Sequence, residues 1–124
     1  MLEQFRMWDV SIGCLSETCV AWNIPVAETV VKTVTTKFDQ NAYWNVSTST
    51  TTSASLYKPG GTGTYVSGDW SGKIVEKGQD AMNMGRWNHF TIQGKNNKKL
   101  TIITGYRCGA DNINNKGSTT AYFQ

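Results

Sequence analysis

Residues 9–18 have the sequence DVSIGCLSET, and the interpretation of the whole chain begins with this stretch. Apolar side chains alternate at Val10, Ile12 and Cys14, which is the two-residue period of a β-strand that buries one face. Glu17 follows at the carboxyl end of that strand, where sheet-based folds place groups that face a ligand. A half-buried carboxylate there needs a cation or a hydrogen-bond donor, so Glu17 is a candidate site residue. The alternative is an ordinary strand-end carboxylate exposed to solvent.

The segments around this strand indicate a mixed fold. Residues 2–8 have the apolar spacing of a short amphipathic helix, and valines at i, i+4 spacing predict a second helix over residues 25–38. A strand over residues 29–36 is the alternative to that second helix. Further strands are predicted at residues 43–46, 62–66, 73–77, 87–92 and 100–106. The last two form a hairpin, and the order of elements predicts an α+β fold with a mostly antiparallel sheet and one or two helices.

The composition limits the function classes. A chain of 124 residues with 39% hydrophobic residues suits one small domain with a core and excludes wholesale disorder. No apolar run approaches the roughly 20 residues of a membrane helix, and the first residues lack a secretory signal pattern, so we expect no membrane partner. The net charge of +3 permits a nucleic-acid partner without arguing for one.

Cysteine and histidine usage argues against a zinc site and for a reducing compartment. The chain has three cysteines and one histidine, so a four-ligand zinc site would need all of them at once. An odd cysteine count without a signal peptide predicts an intracellular protein, cytoplasmic or nuclear, rather than a disulfide framework. We therefore expect the cysteines to be small buried hydrophobic residues and His89 to be a packed or surface side chain.

The strand over residues 9–18, preceded by a helix, resembles the second strand of the endonuclease/exonuclease/phosphatase superfamily, the DNase I-like fold. In that family such a strand ends in an apolar–polar–Glu–Thr step, and the glutamate binds the catalytic divalent metal ion. The hairpin from Arg86-Trp87 to Ile103-Thr104-Gly105-Tyr106-Arg107 resembles the family hairpin that leads to a tyrosine beside the scissile phosphate. The glycine-rich turn at residues 60–63 matches a glycine-rich entry into the next strand. Nuclease-like proteins of mobile elements and viruses are the most similar members.

The resemblance implies a partial DNase I-like α/β-sandwich. Residues 1–124 would be a single domain, and this domain would be the incomplete, amino-terminal part of the family fold. The family's Asn-containing strand would precede Met1, and its Asp-x-Asn strand and terminal Ser-Asp-His would follow Gln124. The loop at residues 111–114 contains Asp and Asn, but no strand leads into it, so it does not match the family's Asp-x-Asn.

The resemblance also implies a function: endonuclease-like, divalent-metal-dependent hydrolysis of phosphodiesters in DNA or RNA. Glu17 would be a catalytic residue and the ligand of Mg²⁺ or Mn²⁺, and Tyr106 would be a catalytic residue that hydrogen-bonds a phosphate oxygen. Arg107 and Lys58 would offer positive charge to the substrate phosphate. The lysines of the turn at residues 95–99 could do the same, although a solvated hairpin tip is the simpler interpretation. Without the other half of the family domain, we expect this chain to be inactive alone.

Two other function classes remain open. The chain could be a non-catalytic β-rich module that binds nucleic acid or a protein. It could also be a small structural protein that self-associates through exposed sheet edges, because unpaired edges recruit further strands. DNA binding that is indifferent to Glu17→Ala would favour the first class, and self-association without DNA or metal binding would favour the second.

Overall fold

A computed structural model of the chain describes residues 2–20, 22, 24–37, 39–48 and 60–106. The helices are α1 (Leu2–Met7), α2 (Pro25–Thr36) and α3 (Gly68–Ser71), with a 3-10 turn at Lys95–Asn97. The strands are β1 (Ile12–Ser16), β2 (Tyr43–Ser47), β3 (Thr62–Val66), β4 (Ile74–Gln79), β5 (Trp87–Gln93) and β6 (Lys99–Gly105). The predicted α+β class with mostly antiparallel sheet is confirmed.

The strands form two three-stranded antiparallel sheets that pack against each other. The order is β1-β3-β2 in the first sheet and β4-β5-β6 in the second. In the first sheet, Thr62 pairs with both Ser16 and Ser47, so β3 begins at the edge where its two neighbours end. In the second sheet, Trp87 pairs with Gly105, so β5 begins where β6 ends. We call this edge of the sandwich, where β1 stops and Glu17 follows, the Glu17 end.

The interior between the sheets is apolar in the half away from the Glu17 end. Val66, Phe90 and Ile92 are buried there. The partly buried side chains packed against them are Ile12, Tyr43, Trp70, Ile74 and Ile102. These residues come from both sheets, so the apolar half joins the two layers.

The half of the interior nearer the Glu17 end is polar. Thr62, Thr64, Asn88 and Thr104 are all 4% exposed or less. The Thr64 hydroxyl donates to Asn88 Oδ1 at 2.6 Å, and the Asn88 amide donates to Thr62 Oγ1 at 2.8 Å. Because the one hydroxyl proton of Thr64 is used in this way, Thr104 is the donor in the 2.6 Å contact between Thr64 and Thr104. This polar layer ties β3 to β5 and β6 by hydrogen bonds.

A row of aromatic rings covers the outer face of the first sheet. Phe5 and Tyr65 have ring centroids 5.5 Å apart, Tyr65 and Trp44 are 5.4 Å apart, and Trp44 and Trp22 are 6.2 Å apart. The Trp44 indole N–H donates to Thr35 Oγ1 of α2 at 3.0 Å. The row therefore connects α1 and α2 across the sheet, as expected for large aromatic side chains that supply most of a small core.

The helix predicted over residues 25–38 is present, and it turns one side of its apolar surface to the sheet. Val26, Val30 and Val34 are 68%, 56% and 39% exposed. Ala27 and Val31, beside that row, are half-buried, and Thr35 on the same side is 2% exposed. The Thr35 hydroxyl accepts the Trp44 indole N–H and donates to the Val31 carbonyl, so its burial leaves no unpaired polar group.

Cys14 differs from expectation: it lies on β1, at the edge of the first sheet, and is exposed rather than buried. Two tryptophans lie in contrasting places. Trp8 follows α1 and is 69% exposed. Trp70 packs on the apolar core, with Lys73 Nζ 4.3 Å from its ring centroid. In the part of the chain that the structure describes, no helix has the length and apolar character needed to cross a bilayer.

Candidate functional site

Two predicted site residues meet at the Glu17 end. Glu17 follows β1 in the first sheet, and Tyr106 follows β6 in the second. They are 89 positions apart in sequence, and the Tyr106 hydroxyl donates to Glu17 Oε1 at 3.5 Å. This distance makes a weak hydrogen bond, and Glu17 is exposed. The carboxylate therefore faces solvent with one neutral donor beside it, an arrangement that a cation or a phosphate can enter.

The backbone that presents Glu17 has an uncommon conformation. Glu17 has φ +55° and Cys19 has φ +52°, in the left-handed region that side-chain-bearing residues rarely adopt. Hydrogen bonds hold the segment in place: the Thr18 N–H donates to the Gly61 carbonyl at 3.1 Å, and the Cys19 N–H donates to the Gly60 carbonyl at 2.9 Å. Backbone strain of this kind costs on the order of 1–3 kcal/mol per residue and is concentrated at functional sites.

The turn next to this segment contains Gly60 and Gly61, and the absence of side chains there lets Tyr106 and Thr18 approach closely. Gly60 and Gly61 have φ +84° and +88°, which glycine adopts without steric cost. A Cβ on Gly60 would lie 3.0 Å from Tyr106 Cε1, and a Cβ on Gly61 would lie 2.8 Å from Thr18 Oγ1. The turn that the sequence predicted here is therefore also a close-packing element, and it holds the Glu17 segment against Tyr106.

Arg86 is a neighbour of Tyr106 that the sequence analysis did not assign to the site. Its guanidinium carbon lies 5.3 Å from the Tyr106 ring centroid, and its carbonyl accepts the Tyr106 N–H at 2.7 Å. Asp80, 1% exposed, accepts the backbone N–H groups of Met82, Met84 and Arg86 at 2.9, 3.0 and 3.1 Å. Asp80 therefore shapes the loop that places a positive charge over the tyrosine ring.

Two sets of basic residues were also predicted to offer positive charge to the substrate phosphate. Arg107 and Lys58 lie outside the described residues, so this role stays a prediction for them. The hairpin lysines of residues 95–99 are described, and they lie where β5 ends and β6 begins. Since β6 has seven residues, that turn is roughly 20 Å from the Glu17 end. These lysines do not share the Glu17 site.

His89, the single histidine of the chain, is a packed side chain. It lies on the face of β5 opposite to buried Asn88 and Phe90, and its ring stacks on Trp87 with centroids 5.7 Å apart. A Cβ on Gly78 would collide with this ring, so the glycine in β4 is what allows the neighbouring strand to pass close to His89. This position agrees with the expectation of a packed or surface histidine.

The donor set at the Glu17 end fits a metal site of one particular kind. Mg²⁺ is commonly held by one or two carboxylates, with waters and substrate phosphates completing an octahedron. Glu17 provides one exposed carboxylate with a hydroxyl donor beside it. Within the described ranges, no three Asp, Glu, His or Cys side chains converge. The residues described at the Glu17 end therefore fit a single-carboxylate site filled by water and phosphate oxygens, not a cage of protein ligands.

A polar cavity of about 370 Å³ lies at the opposite end of the first sheet. Its lining includes Asp39 and Tyr65, and Asp39 Oδ2 accepts both the Tyr65 hydroxyl at 2.9 Å and the Gly68 N–H at 2.8 Å. Burial and this bond to Asp39 raise the pKa of Tyr65 to about 12. Asp39 is engaged in holding β3 and α3 together, so this cavity is a weaker candidate than the Glu17 end.

Comparison of the chain with protein-family models, curated proteins and solved structures found no match. Any function of the Glu17 end is therefore a proposal that rests on the sequence resemblance and on three observations: the meeting of Glu17 and Tyr106, the uncommon backbone at Glu17, and the position of Arg86 over the tyrosine ring.

Proposed function

We propose that this chain contributes to a divalent-metal-dependent, endonuclease-like phosphodiesterase site on a DNase I-like domain. The observation that supports it most directly is the contact between Glu17 and Tyr106. These are the two residues that the sequence resemblance assigns to the metal and to the scissile phosphate. An exposed carboxylate on strained backbone is the type of group that proteins retain for function.

In this proposal Glu17 holds Mg²⁺ or Mn²⁺, and the Tyr106 hydroxyl turns from Glu17 to donate to a phosphate oxygen. The metal ion, when bound, would polarise the phosphoryl oxygen and stabilise charge on the leaving oxygen. The Arg86 guanidinium lies over the tyrosine ring, 5.3 Å from its centroid, and adds positive charge beside the hydroxyl-bearing residue. Arg107 and Lys58 are proposed to contact the DNA or RNA backbone. The cysteine usage supports an intracellular location for this activity.

Cleavage also requires a group that activates water, and the proposal assigns that group to residues other than those described. His89 is stacked on Trp87 on the outer face of the second sheet. Removing one member of a cooperating catalytic set can reduce the rate as much as removing all of them. We therefore propose that the 124-residue chain binds the metal ion and phosphate without cleaving the substrate efficiently.

Paramagnetic broadening by Mn²⁺ tests the metal part of the proposal. In ¹H–¹⁵N spectra of the chain, Mn²⁺ should selectively broaden the amide signals of Thr18, Gly61 and Tyr106, because these residues surround Glu17. Glu17→Gln should abolish the effect. Glu76→Gln, a matched change of an exposed carboxylate on β4, should leave it intact. Equal broadening in Glu17→Gln and the unsubstituted chain would contradict the assignment.

A second candidate function, self-association through a sheet edge, is favoured by β6. Among the described strands it forms one edge of the second sheet, and Ile103 on it is 69% exposed. The opposite edge, β4, has a register shift and carries Glu76 and Lys77, devices that discourage edge pairing. We expect Ile103→Lys to lower the apparent mass in sedimentation velocity at micromolar concentration. An identical, monomeric profile for both proteins would eliminate this candidate.

A further inference from the structure

An apolar cavity of about 280 Å³ lies directly beside Glu17. Leu15 and Trp44 form part of its wall in the first sheet, Val31 borders it from α2, and Trp22 borders it from the segment after β1. Glu17 itself belongs to the lining, so the cavity and the candidate metal site share this residue. The cavity lies on the outer face of the first sheet, away from the polar layer between the sheets.

The tryptophans give the cavity a wall of ring faces. Trp22 and Trp44 stack with centroids 6.2 Å apart and ring planes at 29°. Both indole N–H groups are engaged: Trp22 donates to Thr18 Oγ1 at 2.9 Å, and Trp44 donates to Thr35 Oγ1 at 3.0 Å. These bonds fix the ring orientations and occupy both N–H groups, so a guest can contact only the ring surface that the Trp22–Trp44 stack leaves uncovered.

The size and the apolar wall of the cavity limit what it can hold. The space is half open on the outer face of the first sheet, so a guest can enter it from solvent. An enclosed apolar cavity of about 150 Å³ already binds benzene, so a volume of about 280 Å³ has room for one flat ring. A wall of apolar side chains with no spare donor favours the apolar face of such a ring. A flat aromatic ring meets these conditions.

We propose that this cavity binds the nucleobase adjacent to the phosphate held at Glu17; this inference rests on the proposed function. A phosphodiester placed at Glu17 has its bases within one nucleotide of the cavity wall, and the base is the flat aromatic part of that substrate. Stacking on Trp22 and Trp44 tolerates every base, because each base has a π face. The cavity therefore gives the site affinity for polynucleotides over simple phosphate esters without selecting a sequence.

Indole N–H signals provide the test, because the chain has five tryptophans whose ¹H–¹⁵N indole signals can be assigned from Trp→Phe variants. Titration with deoxyadenosine 5′-monophosphate should shift the Trp22 and Trp44 signals saturably. 2-Deoxyribose 5-phosphate, which lacks the base, should not shift them. Val31→Phe, which fills the cavity, should weaken the nucleotide response at least tenfold, whereas Val30→Phe on the exposed face of α2 should leave it unchanged.

The Mn²⁺ experiment distinguishes a failure of the nucleobase site from a failure of the metal site. If Mn²⁺ still broadens the Glu17 neighbours but the nucleotide leaves Trp22 and Trp44 unshifted, the nucleobase site is wrong and the metal site stands. If benzene shifts these signals and the nucleotide does not, the cavity is a packing void and the inference is overturned. If the nucleotide shifts them without any Mn²⁺ effect at Glu17, the base site stands and the metal assignment fails.

Discussion

Asn88 is the residue on which the polar layer between the sheets depends. Its side-chain oxygen and amide contact Thr64 and Thr62, and it is completely buried. Asn88→Ala would remove the acceptor of the Thr64 hydroxyl and the donor to Thr62, while Thr64 keeps its contact with Thr104; loss of a partner by a buried polar group costs roughly 1–3 kcal/mol. We expect the free energy of unfolding in urea to fall by about 2–4 kcal/mol.

The control for this prediction is Gln40→Ala, which removes an exposed amide in the turn before β2. It should change stability by less than about 0.5 kcal/mol. Equal stability of Asn88→Ala and Gln40→Ala would mean that the hydrogen bonds of the layer contribute nothing, and the account of the interior would have to be abandoned.

Tyr65 makes stability depend on alkaline pH. Its pKa is raised to about 12 in the folded chain by burial and by the bond to Asp39, while the unfolded tyrosine titrates near 10. The unfolded chain therefore releases the proton first as pH rises. The contribution of the Tyr65 proton to the free energy of unfolding is complete below pH 10. It is lost as pH increases from about 10 to about 12, by at most about 1.4 kcal/mol per pH unit.

Urea denaturation at several alkaline pH values checks this prediction. Tyr65→Phe should remove the Tyr65 part of the slope above pH 10, and at neutral pH it should cost about 1 kcal/mol because the bond to Asp39 is lost. Tyr43→Phe, at the start of β2, should retain the slope. A Tyr65→Phe protein with an unchanged alkaline slope would contradict the role given to this tyrosine.

At the residue scale, the sequence identified some candidate residues and missed others. Glu17 became a candidate because it follows an apolar strand, but that pattern also fits an ordinary exposed carboxylate, and the family resemblance supplied the proposed role. Asn88 could not, because strand alternation identifies two faces but does not say which polar side chains face a buried layer. Arg86 was also missed, since its position over Tyr106 depends on a loop that Asp80 shapes through backbone hydrogen bonds.

The glycine turn before β3 is the element that fixes the geometry of the Glu17 segment. Gly61→Ala would place a Cβ at φ +88° and 2.8 Å from Thr18 Oγ1. We expect it to destabilise the chain by about 1–3 kcal/mol and to weaken the Mn²⁺ broadening around Glu17.

Gly72→Ala is the matched comparison. Gly72 follows α3 with φ −66°, and nothing lies within 4 Å of its added Cβ. This change should be neutral or stabilise the fold by up to about 1 kcal/mol, with the Mn²⁺ effect unaltered. If both alanine variants behave alike, the turn does not control the site.

At the element scale, the positions of α1, α2 and the six strands were predictable because their periodicities differ and turns separate them, whereas the four residues of α3 are too few to show a period. The orientation of α2 was not predictable, since its valine stripe is more apolar than the face that it buries. Thr35 faces the sheet because Trp44 donates to it, and this requirement belongs to another element. A helix pattern examined alone cannot reveal it.

At the scale of the whole molecule, Glu17 and Tyr106 meet because the two sheets pack with the end of β1 next to the end of β6. Sequence patterns predict strands, and hairpin turns predict neighbours, but the packing of one sheet on another depends on long-range contacts such as Thr64 with Asn88 and Thr104. The family resemblance gave each of the two residues a role at one site, whereas periodicity and composition carried no information on their distance.

Activity is a property of the whole molecule, and we expect the purified 124-residue chain not to nick supercoiled DNA with Mg²⁺. The residues that the structure describes at the Glu17 end offer one carboxylate and one hydroxyl but no imidazole to activate water. Plasmid relaxation on agarose gels measures this. Nicking that EDTA stops and Glu17→Ala abolishes would show that the chain alone carries the full catalytic set.

The central claim is that the Glu17 end forms a metal and phosphate site from both sheets. Crystals of the chain grown with MnCl₂ test it most directly, through anomalous difference density at the manganese edge. We predict a peak in direct coordination distance of the Glu17 carboxylate, with the Tyr106 hydroxyl next to the metal-bound water or phosphate. A manganese peak at Asp39 or elsewhere, with none at Glu17, would contradict the claim.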